Sequence, residues 1–121
     1  MQCFPLEALV NALHVDHIDY FSLDIEGPEL QVLQTIPFDE IFIDVMTIEY
    51  LVTNLEKGGR NQTHTEIKLH ALRKFFASGN LAGLYTEVGV IAKREKFVRP
   101  GDENYHDLAR ELGIDVVFKR K

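Results

Sequence analysis

A single cysteine, Cys3, stands in 121 residues, so the chain has no internal disulfide to staple it or to mark an oxidising compartment. No apolar run approaches the ~20 residues of a membrane-spanning helix, and no basic flank precedes an apolar block at the amino end. The first fifty residues lack Lys and Arg while holding ten acids; residues 51–121 carry all thirteen bases against nine acids. The two stretches therefore differ as −10 and +4 within a net charge of −6. Phosphate backbones need cationic partners, so no nucleic-acid partner is expected at the acidic half. That half suits a cationic ligand or a metal, or is a set of solvated surface acids. What is present is ordinary for one folded domain. With 45% apolar and 10% aromatic residues the chain is no low-hydrophobicity disordered segment, and its length fills one core but not two.

Periodicity alternates between helix and strand. Leu6, Leu9, Val10 and Leu13 behind Pro5 predict a short amphipathic helix over Pro5–Leu13. Ile18–Ile25 reads as a strand buried on both faces, ended by Gly27 and by Pro28 at the first turn of a helix carrying Leu30, Leu33 and Ile36. Pro37 breaks that helix, and Ile41–Glu49 reads as a second buried strand. A loop over Asn54–Gln62 leads to a helix at about Thr65–Ser78, with Ile67, Ala71, Leu72, Phe75 and Phe76 on one side, Thr63 or Thr65 as N-cap and Gly79 as its stop. Leu84–Lys93 is β-like. Pro100-Gly101-Asp102 turns into a helix near Asn104–Leu112, and Ile114–Phe118 supplies a last strand. Strand–helix alternation with long buried strands predicts an α/β sheet paired in parallel through right-handed crossovers.

Ligands of open α/β sheets sit beyond the carboxyl ends of the strands. Two such ends are acidic here: Asp24 and Glu26 follow the first strand, and Glu49 closes the second. If those strands are neighbours, three carboxylates converge, fit to coordinate a hard cation, orient a general base or hold a cationic cofactor. Glu29, one step further, reads as a complement to the helix dipole.

The run Tyr20-Phe21-Ser22-Leu23-Asp24-Ile25-Glu26-Gly27-Pro28-Glu29-Leu30, followed by Leu33, Thr35-Ile36-Pro37, Ile43-Asp44-Val45 and Ile48-Glu49-Tyr50, resembles the FkbM-type methyltransferase domain, and in particular its animal Star-like branch. Cys3-Phe4-Pro5-Leu6 and Asp115-Val116-Val117-Phe118 are similar to the same branch. The resemblance implies a class I, Rossmann-like fold using S-adenosylmethionine, with a small-molecule or glycan acceptor. It makes Ile18–Ile25 the fourth strand, Ile41–Glu49 the fifth and the closing segments the sixth and seventh, with Asp24, Glu26 and Glu49 lining the mouth where donor and acceptor meet. Such a domain opens with a strand, a glycine-rich turn and a helix, and no Gly-x-Gly-x-x-Gly turn occurs in these residues. Residues 1–121 are thus expected to be the carboxy-terminal part of one domain, a partial sheet without its first strands. Its exposed edge would meet the missing half or a protein partner. The alternative is a Star-like interaction or trafficking protein that keeps the fold without turnover. Taken as complete, the chain would be cytoplasmic; as part of a longer Star-like protein it would be anchored in the secretory pathway.

Other signals carry less. His14 and His17 stand near Asp16 and Asp19 but show no third ligand at a metal-site spacing, which reads as surface or turn histidines. Asn61-Gln62-Thr63 is a glycosylation sequon, meaningful only in a secretory lumen. Cys3 lacks a His–Asp arrangement for nucleophilic work. Lys93, Arg94, Lys96 and Arg99 read as the protected edge of a sheet.

Overall fold

The structure, a computed structural model, describes Ala8 and residues 11–121. Cys3 and most of the helix expected over Pro5–Leu13 lie outside the described residues. The chain then runs β1 (His17–Leu23), α1 (Glu29–Thr35), β2 (Phe42–Glu49), α2 (Gln62–Ala77), β3 (Tyr85–Ala92), β4 (Lys96–Val98), α3 (Tyr105–Glu111) and β5 (Gly113–Arg120). Together the strands form one open sheet in the order β1-β2-β5-β3-β4.

The α/β class is as the sequence implies, but the all-parallel pairing is not. Only β1 and β2 run parallel; β2–β5, β5–β3 and β3–β4 are antiparallel. The crossover that a parallel pair requires exists once, through α1. β3 turns straight back into β4, and β5, reached from α3 through Leu112, drops between β2 and β3 against both. Burial on two faces, which reads as parallel pairing in a sequence, comes for β5 from its central place.

Helix limits moved for local reasons. α2 starts earlier than expected because Asn61, and neither threonine, is its N-cap: Asn61 Oδ1 accepts from the His64 N–H at 3.1 Å. That half-buried cap is the asparagine of the sequon. α3 ends under Arg60, whose guanidinium donates to the Arg110 carbonyl in its last turn (2.6 Å) and to the Gly113 carbonyl at the start of β5 (2.7 Å). The Tyr50 hydroxyl donates to the Ala109 carbonyl above Gly113, where a Cβ would lie 2.7 Å from that same oxygen.

All three described helices pack on one face of the sheet. Phe76 of α2 stacks on Phe118 at 4.2 Å and meets Tyr85 and Phe38. Arg73 of α2 makes a two-pronged pair with Glu87 (2.7 and 2.9 Å), and the Tyr105 hydroxyl of α3 donates to the same carboxylate. α1 joins α2 through Glu29 and Lys68. By strand alternation Tyr20, Val45, Thr47, Glu49, Asp115 and Val117 point the other way. On that side Val117, though only 8% exposed, stands outside the buried cluster that holds Phe118 and Val116. Tyr20 on the edge strand is 58% exposed, its hydroxyl donating to Thr47 Oγ1 at 3.0 Å. At the other edge, β4 is three residues long and begins with Lys96, a short charged margin of the kind that discourages further pairing.

Candidate functional site: a carboxylate mouth at the ends of β1 and β2

Parallel pairing of β1 with β2 sets Leu23 beside Ile48, so the residues just beyond, Asp24 and Glu49, arrive at the same end of the sheet. Oxygens of Asp24, Glu29 and Glu49 lie within 4.8 Å of one another. Asp115 of β5, in register with Glu49, adds a fourth carboxylate. Asp24 is exposed, Glu49 half-buried and Glu29 fully buried.

The β1–α1 turn explains how a buried acid is tolerated. Glu26 (φ 55°) takes a left-handed conformation, at a cost of about 1–3 kcal/mol for a residue with a side chain, and Gly27 (φ 147°) follows. This coil turns the N–H groups of Ile25 and Gly27 onto the Glu29 carboxylate at 2.9 and 3.1 Å, and Lys68 Nζ closes on it from α2 at 2.5 Å. Burial alone would push the Glu29 carboxyl up. The Lys68 ammonium and the backbone donors outweigh it and hold the carboxyl below its ordinary value. Glu29 is thus a clamp on the turn, more than a complement to the helix dipole.

Glu49 has the opposite balance. Burial, a hydrogen bond to Asp24, and the charges of Asp24, Glu29 and Asp115 all disfavour its ionised form, raising its pKa from 4.5 to about 7. Asp115 is also raised, by burial and then by Asp24 and Glu29. A carboxyl that gains and loses a proton near neutrality suits general acid–base work. The mouth opens into a cleft of about 380 Å³ lined by Glu26, Glu49, Lys68 and Leu55 among others.

Asp24, Glu26 and Glu49, the three residues singled out in the sequence, therefore share one end of the fold: Asp24 and Glu49 in contact range, Glu26 exposed on the cleft wall. Sequence reasoning missed Asp115 and Lys68. A lone acid opening the apolar run Val116-Val117-Phe118 was a signal for the first; nothing local marks the second. Among known proteins the chain matches no family model, no curated protein and no solved structure.

Proposed function

We propose that the chain is the carboxy-terminal part of an FkbM-type, S-adenosylmethionine-dependent methyltransferase domain, acting on a hydroxyl of a small molecule or glycan. The observation that carries the reading is the convergence of Asp24 and Glu49 at the carboxyl ends of neighbouring parallel strands. The sheet supports it. With β1 as fourth strand, β2 fifth, β3 sixth and β5 seventh, these four stand in the order fourth, fifth, seventh, sixth with the seventh reversed, compatible with a class I sheet, and β4 adds a further reversed strand outside the sixth. In this reading Glu49 takes the proton of the acceptor hydroxyl, and Asp24 beside it keeps the proton affinity of Glu49 near neutrality. Glu26 shapes the cleft wall.

The described residues do not by themselves fit the cofactor. Gly58 and Gly59 lie in the loop between β2 and α2, not at a strand-to-helix turn. At the β1–α1 turn, the N–H groups of Ile25 and Gly27 are already held by Glu29. The cofactor is accordingly assigned to strands that would pair with the open edge of β1. Calorimetric titration of the 121-residue protein with S-adenosylmethionine is expected to show no binding; micromolar affinity would overturn the partial-domain reading. In the complete domain, Asp24→Ala and Glu49→Ala should each lower methyl transfer by about a hundredfold while the protein still folds.

The edge of β1, without a partner strand among the described residues, and the occupied turn also favour a second reading, a Star-like protein that keeps the fold for interaction. Negligible and equal rates in the wild type and both variants would select it.

A further inference from the structure

At the opposite end of the sheet, where β1 and β2 begin, His17, Asp19 and Asp44 bring one nitrogen and two oxygens within 4.8 Å of one another. We infer that these three side chains form a zinc-type divalent cation site. His17 Nε2 lies 3.3 Å from Asp19 Oδ1 and 3.2 Å from Asp44 Oδ2. Two donors held at about 2.0–2.1 Å by a tetrahedral ion are about 3.3 Å apart, so the imidazole nitrogen already stands off each carboxylate by the edge of such a tetrahedron. His17 Nε2 and Asp44 Oδ2, at 3.2 Å, also form a hydrogen bond. Nε2 carries at most one proton, so that bond accounts for one carboxylate and leaves the second, Asp19 at 3.3 Å, to be explained.

The ligands sit on a rigid frame. His17 and Asp19 are two apart on β1 and so share a face, and the parallel register brings Asp44 of β2 alongside. Phe42 meets the imidazole edge-on at 5.0 Å, and the Arg120 guanidinium lies over the same Phe42 ring at 4.2 Å. Beside them lies a cleft of about 470 Å³ with Asp16, Asp39 and Glu40 in its wall, leaving room for water in a fourth position. An imidazole with two carboxylates selects zinc over magnesium or calcium, which prefer oxygen alone. The side chains are 49%, 90% and 41% exposed, which makes the site an open, exchangeable one. An ion there would tie the edge strand to its single neighbour. The sequence set His17 beside His14; the fold joins it instead to Asp19 and to Asp44, 27 residues away.

Zinc chloride titrated calorimetrically into the 121-residue protein is expected to fill one saturable site and raise the unfolding temperature. His17→Ala and Asp44→Asn should each weaken binding by at least about tenfold and abolish the thermal shift, while His70→Ala on α2 leaves both unchanged. Equal binding by the wild type and the His17 and Asp44 variants would overturn the assignment, as would the absence of saturable binding. Circular dichroism checks the fold of each variant. Should either lose it, Asp19→Asn, at a 90% exposed position, gives the same reading.

Discussion

Replacing Glu49 by Gln removes one charge from the mouth and keeps the shape of the side chain. The folded protein holds the Glu49 proton to about pH 7 and the unfolded chain only to about 4.5, so between those values the unfolded state binds fewer protons. Stability therefore falls as pH rises through that window and stays lowered above it. The full displacement corresponds to about 3 kcal/mol; because the side chain is partly open to solvent, screening reduces the expected effect to about 1–2 kcal/mol. Asp115 acts in the same direction from its ordinary 3.8 upward, whereas Glu29, held low, loses its contribution only as pH falls below 4.5. Both are present in wild type and variant, so the difference reports the Glu49 charge together with its coupling to Asp24, Glu29 and Asp115. Urea unfolding across this range should find the two proteins close at about pH 4.5 and the Gln variant more stable by about 1–2 kcal/mol at about pH 8. A stability difference that stays constant with pH would refute the claim that its neighbours disfavour the Glu49 charge.

Lys68→Ala strands the Glu29 carboxylate at a fully buried position, and chemical denaturation should show a loss of about 3–5 kcal/mol. Phe76→Ala empties the space between Phe118, Tyr85 and Phe38 and should cost about 3–5 kcal/mol, read as a lower urea midpoint with unchanged slope. Gly113→Ala drives a methyl group into the Tyr50 hydroxyl and the Ala109 carbonyl; a loss of at least about 1–3 kcal/mol is expected, and a Tyr50→Phe background should recover part of it.

The two apolar runs around Phe21 and Ile48 were legible because hydrophobic stretches bounded by Gly and Pro have few other homes. Strand direction was not, since side-chain alternation is the same whichever way a strand runs. That is why β5, apolar on both faces, read as one more parallel strand. The bases around Lys96 were legible as a protected sheet edge, but β4 as a separate strand was not, because Lys96-Phe97-Val98 is short and charged and its pairing is set by the hairpin turn instead of by burial. On α2 the apolar stripe was rotated: Ile67 is 60% exposed, while Thr65, Leu69, Leu72 and Phe76 are buried, because helix packing follows the sheet and the Val52 backbone that Thr65 bonds. The proximity of Asp24 and Glu49 was legible from acids that end buried strands. The partners that set their protonation were not, because Lys68 and Asp115 reach the mouth only once α2 has docked and β5 has been inserted.

That insertion dictates how the chain can assemble. Among the described residues β2 and β3 share no strand ladder, and Gly113–Arg120 is the strand that joins them. Until the ribosome has released those residues, the nascent polypeptide holds two unconnected pieces, a parallel pair and a hairpin. The two pieces therefore join into the described sheet only after Arg120 emerges, with β5 acting as the keystone.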